Sequence, residues 1–152
     1  MQKVVITGHD LTVDQIIAVC REGAEVVLSD ESREKILASR QVVNELVEER
    51  KVVYGITTGF GKFSDVVISQ DECKLLQKNL IITHAVGAGD PFKEDIARGI
   101  LLLRVNSLSN GFSGICLETV ETMIAMLNKG VTPFIPEKGS LGASGDLAPL
   151  SH

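Results

Sequence analysis

The sequence predicts a mainly α-helical fold, with short strands near the N-terminus and glycine-rich loops between helices. Three observations carry this. Apolar residues recur at helical spacing, as in Val13, Ile16, Ile17 and Cys20. Such segments open on cap residues and close on glycine, the asymmetry expected of helix ends. Strand-like runs are few and short.

Residues 2–6 (QKVVI) read as a short strand. Thr12 caps the first helix, and a second short apolar piece, Val26-Val27-Leu28, follows it. Ser29 caps a long polar-rich helix to about Arg50, with Ile36, Val43, Leu46 and Val47 on one side. Residues 51–66 are glycine-rich and irregular. Ser69-Gln70-Asp71-Glu72 has capping-box form, hydroxyl and carboxylate each satisfying the other residue's backbone N–H. It should open a helix running toward His84, stopped by Gly87 and Gly89. Asp90-Pro91 reads as the cap and first turn of the next helix. That helix holds Ile96, Ile100 and Leu103 and ends near Asn110-Gly111. Another runs from about Ser113 to Asn128, with Gly130 past its end, and Pro133 to Gly145 reads as a loop. Gly145-Asp146-Leu147-Ala148-Pro149 then starts a final helix, with Leu147 and Leu150 placed to pack. No repeat or linker divides the chain, so residues 1–152 read as one domain. A helix begun this late leaves its leucines nothing to bury against. The expectation is therefore an N-terminal domain whose remainder lies beyond residue 152.

Composition narrows the function classes. The 152 residues suffice to bury a core. With only 5 Phe and 1 Tyr, that core must be built from Leu, Ile, Val and Ala. Mean hydropathy is +0.20, apolar for such a domain, which points to faces meant for partner chains or further sequence. The net charge is −5 and the 15 basic residues are scattered, which argues against nucleic-acid binding. No apolar run is long enough for a membrane span, and residues 1–20 lack a signal peptide's apolar core. Cys20, Cys73 and Cys116 are odd in number and far apart, as for reduced thiols. A cytoplasmic protein is the expectation. His9, His84 and His152 share no metal-ligand spacing, so no metal is expected.

The glycine loops are not phosphate loops. In "YGITTGFGKF" (residues 54–63) five residues separate Gly55 from Gly61, where a P-loop has four, and Phe63 follows Lys62 in place of Ser or Thr. "GAGDPF" (residues 87–92) lacks the third glycine of a dinucleotide fingerprint. "GASGD" fails as a nucleophile elbow, because Asp146 stands two residues after Ser144. A triad of Ser144, His84 and Asp146 rests on residue types alone.

Ala143-Ser144-Gly145 has another chemical use. Glycine's amide nitrogen is unhindered. Pressed onto the Ala143 carbonyl carbon, Gly145 N can close a five-membered ring. Loss of two waters, one of them carrying the Ser144 hydroxyl, leaves a methylidene-imidazolone with an exocyclic C=C. That is an electrophile no standard side chain provides. On its own the tripeptide is common and usually a plain loop.

Its surroundings are not common. "GSLGASGDLAPLSH" (residues 139–152) closely resembles the signature of the aromatic amino acid ammonia-lyases. "YGITTGFG" (residues 54–61) resembles that family's inner active-site loop with its catalytic tyrosine. "NLIITHAVGAG" (residues 79–89) resembles the end of its substrate-selectivity helix, and "RVNSLSNGFSG" (residues 104–114) the helical segment that follows. Four matches in the family's order cover most of the chain. The resemblance implies a mainly α-helical homotetramer with active sites shared between subunits. It also implies a methylidene-imidazolone formed autocatalytically from Ala143-Ser144-Gly145, with Gly142 and Asp146 in support and no metal or diffusible cofactor.

Within that resemblance the pair at Thr83-His84 sorts substrates. Histidine-type members resemble Ser-His there, tyrosine-type His-Leu and phenylalanine-type Phe-Leu. Thr-His keeps the hydroxyl and imidazole in the histidine-type order. Thr83 replaces the usual Ser, and Thr57 stands where histidine-type enzymes more often carry Asn, so "ITTGFG" looks more like the aromatic-type loop. The expected activity is deamination of L-histidine to urocanate and ammonia, the first step of histidine degradation, with a tyrosine or phenylalanine ammonia-lyase or aminomutase as the alternative. Tyr54 is the expected base. A free phenol has a pKa of about 10, so that role calls for a lowered value. Residues 1–152 alone are expected to be inactive. A non-catalytic helical interaction protein is the competing class.

Overall fold

The computed structural model describes residues 2–58, 70–141 and 147–152, the side chains of 70–74 excepted. The chain is mainly helical, as expected. The elements run β1 (Lys3–Ile6), α1 (Val13–Arg21), β2 (Glu25–Leu28), α2 (Asp30–Glu48), α3 (Gln70–His84), β3 (Ala88–Pro91), α4 (Glu94–Leu108), α5 (Leu117–Asn128), β4 (Pro136–Lys138) and α6 (Leu147–Ser151). They fall into two compact units, one of residues 1–42 and 92–134, the other of residues 43–91 and 135–152.

In the first unit β1 and β2 pair in parallel, Lys3 opposite Glu25 through Ile6 opposite Leu28. Their alternation turns Val4, Ile6, Val26 and Leu28 inward. There they meet Val19 of α1, Ile36 of α2, Leu102 and Val105 of α4, and Val120 of α5. Thr12 caps α1 as expected. It forms a full capping box, its Oγ1 accepting from Gln15 N–H while the Gln15 side chain accepts from Thr12 N–H. Ser29 Oγ accepts from Ser32 N–H at the start of α2. Asn128, at the end of α5, treats β2 as a strand partner. Its Oδ1 accepts from Val26 N–H at 2.8 Å and its Nδ2 donates to Val26 O at 2.9 Å.

One expectation about α4 is corrected. Asp90 and Pro91 do not cap it but lie in β3, and the helix begins at Glu94 after Lys93. Its buried face is Ala97, Arg98, Leu101, Leu102 and Val105, while Ile96 and Leu103 are about half exposed. Arg98 lies within that buried face. Its guanidinium is buried and donates to the carbonyls of Val19 and Leu127, joining the ends of α1 and α5. A second correction concerns α5, which starts at Leu117. Residues 113–116 instead cross α2, with Gly114 N–H donating to Ser39 Oγ and its carbonyl accepting from Arg40.

In the second unit β3 and β4 pair antiparallel with an irregularity, Ala88 opposite Lys138 and Pro91 opposite Pro136. The expected loop from Pro133 to Gly145 therefore contains a short strand. α3 packs against α6. In α6 it is Ala148 that is buried, while Leu147 and Leu150 remain about half exposed. No described helix is long and apolar enough to cross a membrane. Cys20 and Cys116 are free thiols, and burial pushes the Cys20 thiol above its usual value.

Candidate active site

Residues 51–58 make a turn stitched by two threonines. Thr57 Oγ1 donates to Lys51 O and accepts from Val53 N–H at 2.9 Å. Thr58 Oγ1 accepts from Gly55 N–H. Both threonines are buried. Gly55 sits at φ +74°, a conformation glycine adopts without penalty. The result is a fixed turn that carries Tyr54 outward, its side chain 61% exposed. Thr57 therefore holds this turn from inside.

Thr83 and His84 close the last turn of α3. Thr83 Oγ1 lies 2.8 Å from Asn79 O and 3.1 Å from Leu80 O, so its proton is directed back along the helix. His84 Nδ1 lies 2.8 Å from Leu80 O and 3.3 Å from Thr83 Oγ1. A carbonyl can only accept. In the neutral ring this contact assigns the proton to Nδ1 and makes Nε2 the acceptor. Thr83 and Leu80 thus set the ring's orientation and tautomer.

Ala143, Ser144 and Gly145, with Gly142 and Asp146 beside them, lie outside the described residues, as does Ser69 of the expected capping box. The segments on either side of the tripeptide are described, and both come to Gly87. Gly87 N–H donates to His152 Nε2 at 2.9 Å. A Cβ on Gly87 would lie 2.6 Å from Pro136 Cγ and 2.7 Å from His152 Nε2. A Cβ on Gly139, at φ +131°, would lie 2.9 Å from Gly87 Cα. In the sequence Gly87 reads only as a helix stop and His152 only as a histidine without metal partners. No local pattern marks a backbone N–H paired with a ring 65 residues away.

The residues fit the prosthetic group the sequence implies. The tripeptide supplies the attacking glycine amide, the serine that becomes the alkene and a small first residue. The stems of its loop are gathered at one glycine. A separate open cleft of about 510 Å³ lies in the first unit, lined in part by Cys20, Asp95 and Arg98. None of the residues singled out above for catalysis or substrate binding lines it, so it plays no part in this site.

Comparison with known proteins agrees with the motifs. The profile of the aromatic amino acid lyases matches residues 11–152. The chain belongs to that family. It is 60% identical over all its 152 residues to a histidine ammonia-lyase of Caldanaerobacter subterraneus subsp. tengcongensis. Among solved structures it superposes on histidine ammonia-lyase from Trypanosoma cruzi with a TM-score of 0.89 at 43% identity, over 99% of this chain and 29% of that one. On ergothionase, an ergothioneine-degrading enzyme from Treponema denticola, the TM-score is 0.93 at 31% identity, over 99% of this chain and 30% of that one. The chain spans 30% of the length of the Caldanaerobacter enzyme. Lyases of this family act on amino acids and use a methylidene-imidazolone that forms autocatalytically.

Proposed function

We propose that this lyase is a histidine ammonia-lyase, converting L-histidine to urocanate and ammonia without oxidation. The observation that carries the choice of substrate is the His84 tautomer. With Nδ1–H committed to Leu80 O, Nε2 presents a lone pair, which suits the N–H of a substrate imidazole and has no partner on a phenyl ring. Identity to histidine ammonia-lyases over the whole chain supports the same reading.

Closed into its ring, Ala143-Ser144-Gly145 supplies an electrophilic carbon that turns the substrate's amino group into a leaving group. Around it, this chain's residues do the rest. His84 Nε2 accepts from the imidazole and fixes the side chain. Thr83 holds His84 rather than the substrate, its hydroxyl being turned into the helix. Tyr54, carried outward by the Thr57–Thr58 turn, takes the β-proton on its phenolate oxygen. Gly142 and Asp146 flank the tripeptide and support it. The Asn-to-Thr departure at position 57 does not favour a tyrosine or phenylalanine substrate, because Thr57 spends its hydroxyl on the turn. Residues 1–152 act as the N-terminal domain of a longer, cytoplasmic, homotetrameric enzyme and are inactive alone.

The test is ammonia release by the purified full-length enzyme from L-histidine, L-tyrosine and L-phenylalanine in parallel. The expected result is a kcat/KM for histidine more than about tenfold above either other, a difference of about 1.4 kcal/mol in transition-state binding. A preference for either carbocyclic substrate contradicts it.

A further inference from the structure

We propose that Gly87 and His152 form a clasp that anchors the described segments on either side of Ala143-Ser144-Gly145 and so aids ring closure; the idea rests on the methylidene-imidazolone reading above. Those segments are its two stems. One leaves β4 through Gly139, the other enters α6, which ends beside His152. Both stems rest on the same residue. His152 Nε2 accepts from Gly87 N–H at 2.9 Å, and Pro136 and Gly139 crowd the Gly87 Cα so closely that a Cβ on either glycine would collide with the other stem or with Gly87 itself. Position 87 has no room for any side chain, since the nearest obstacle is a rigid proline ring.

The chemistry needs such a restraint. In ring closure Gly145 N forms a bond to the Ala143 carbonyl carbon. The carbonyl oxygen leaves as water, taking the amide protons of Ser144 and Gly145, and a C=N bond to Ser144 N remains. The second water takes the Ser144 hydroxyl and Cα proton, leaving the exocyclic C=C. No oxidant is involved. The difficulty is conformational: a free loop rarely brings a backbone nitrogen onto a carbonyl two residues earlier, and closing the ends of a flexible segment costs entropy. Anchoring both stems removes part of that cost before the reaction begins. Because Gly87 follows His84 by three residues, the same clasp ties the loop to the end of α3 that carries the imidazole. Its role is to position, and it touches neither substrate nor reacting atoms.

The clasp requires an acceptor at the His152 Nε2 position, so His152→Gln, whose amide oxygen reaches similarly far, should preserve it, and His152→Leu and Gly87→Ala should not. Two readouts on the full-length protein decide. Hydrogen exchange across residues 87–89 and 139–146 should accelerate about tenfold in His152→Leu, as for one lost hydrogen bond, and return toward wild type in His152→Gln. Intact mass should show wild type short by two waters, His152→Leu and Gly87→Ala largely at the unmodified mass, and His152→Gln restored. Should His152→Leu fail to fold, His152→Asn, polar but too short to reach Gly87, reads the same contact. Unchanged exchange in His152→Leu overturns the clasp. Faster exchange with the ring still fully formed overturns its positioning role. A wild type at the unmodified mass sinks the ring reading itself, and exchange separates that failure from the clasp's.

Discussion

Replacing His84 by leucine separates a substrate-binding imidazole from a merely structural one. Two interactions are lost. The first is internal, Nδ1–H to Leu80 O at 2.8 Å. That carbonyl is at a helix end with solvent nearby and Leu fills similar space, so the loss is about 0.5–1.5 kcal/mol of stability. The second is the Nε2 acceptor, without which a bound imidazole N–H is left unpaired, at about 1–3 kcal/mol. The first cost falls on every substrate alike, the second on histidine and not on phenylalanine, whose ring has no donor. kcat/KM for L-histidine should therefore drop about 5- to 150-fold relative to any change for L-phenylalanine, read by ammonia release from full-length variant and wild type at equal active-site content. Phenylalanine should be unaffected or improved, since leucine offers its ring an apolar surface. An equal fall for both substrates would show that His84 only orders the end of α3, and the argument from its tautomer would be refuted.

Other substitutions address the remaining roles. Ser144→Ala removes the hydroxyl from which the alkene forms, so turnover should vanish while far-UV circular dichroism and melting stay at wild type; retained turnover contradicts the assignment. Tyr54→Phe should lower kcat severely with KM little changed, because proton removal belongs to the transition state; a kcat within about threefold of wild type, under 1 kcal/mol, shows that Tyr54 is not the base. Thr57→Val keeps the shape of a buried side chain but strips both hydrogen bonds that the Thr57 hydroxyl makes in the 51–58 turn, and should lower stability by about 1–3 kcal/mol in denaturant melts. Thr57→Asn, which carries both an acceptor and a donor, should cost less than Thr57→Val, and a reversal of that order would count against the turn's role.

Local signals are legible in this sequence and non-local ones are not. The Thr12 cap, the short strand at residues 2–6 and the end of α5 before Gly130 all follow from short-range spacing and backbone preference. The face of α4 did not. In "GILLLRV" apolar residues occupy successive positions, so periodicity cannot choose a side, and the buried face includes Arg98, which bonds to carbonyls on two other helices. Asp90-Pro91 has the residue types of a helix start, but β4 recruits it into a strand pair, a partnership no window around it reveals. The site divides the same way. Tyr54, Thr83, His84 and the Ala-Ser-Gly tripeptide stand out by motif. The work of Thr57 inside the turn and the meeting of both loop stems at Gly87 appear only in three dimensions.

The central claim is that Ala143-Ser144-Gly145 becomes an electrophile, and the mass of the proteolytic peptide containing it tests that most directly. The peptide from the full-length protein should weigh two waters less than its sequence requires, with the deficit confined to residues 143–145, and Ser144→Ala, which has no hydroxyl to lose, should never show the second water missing. A peptide at its full sequence mass would contradict the account, whatever activity accompanied it.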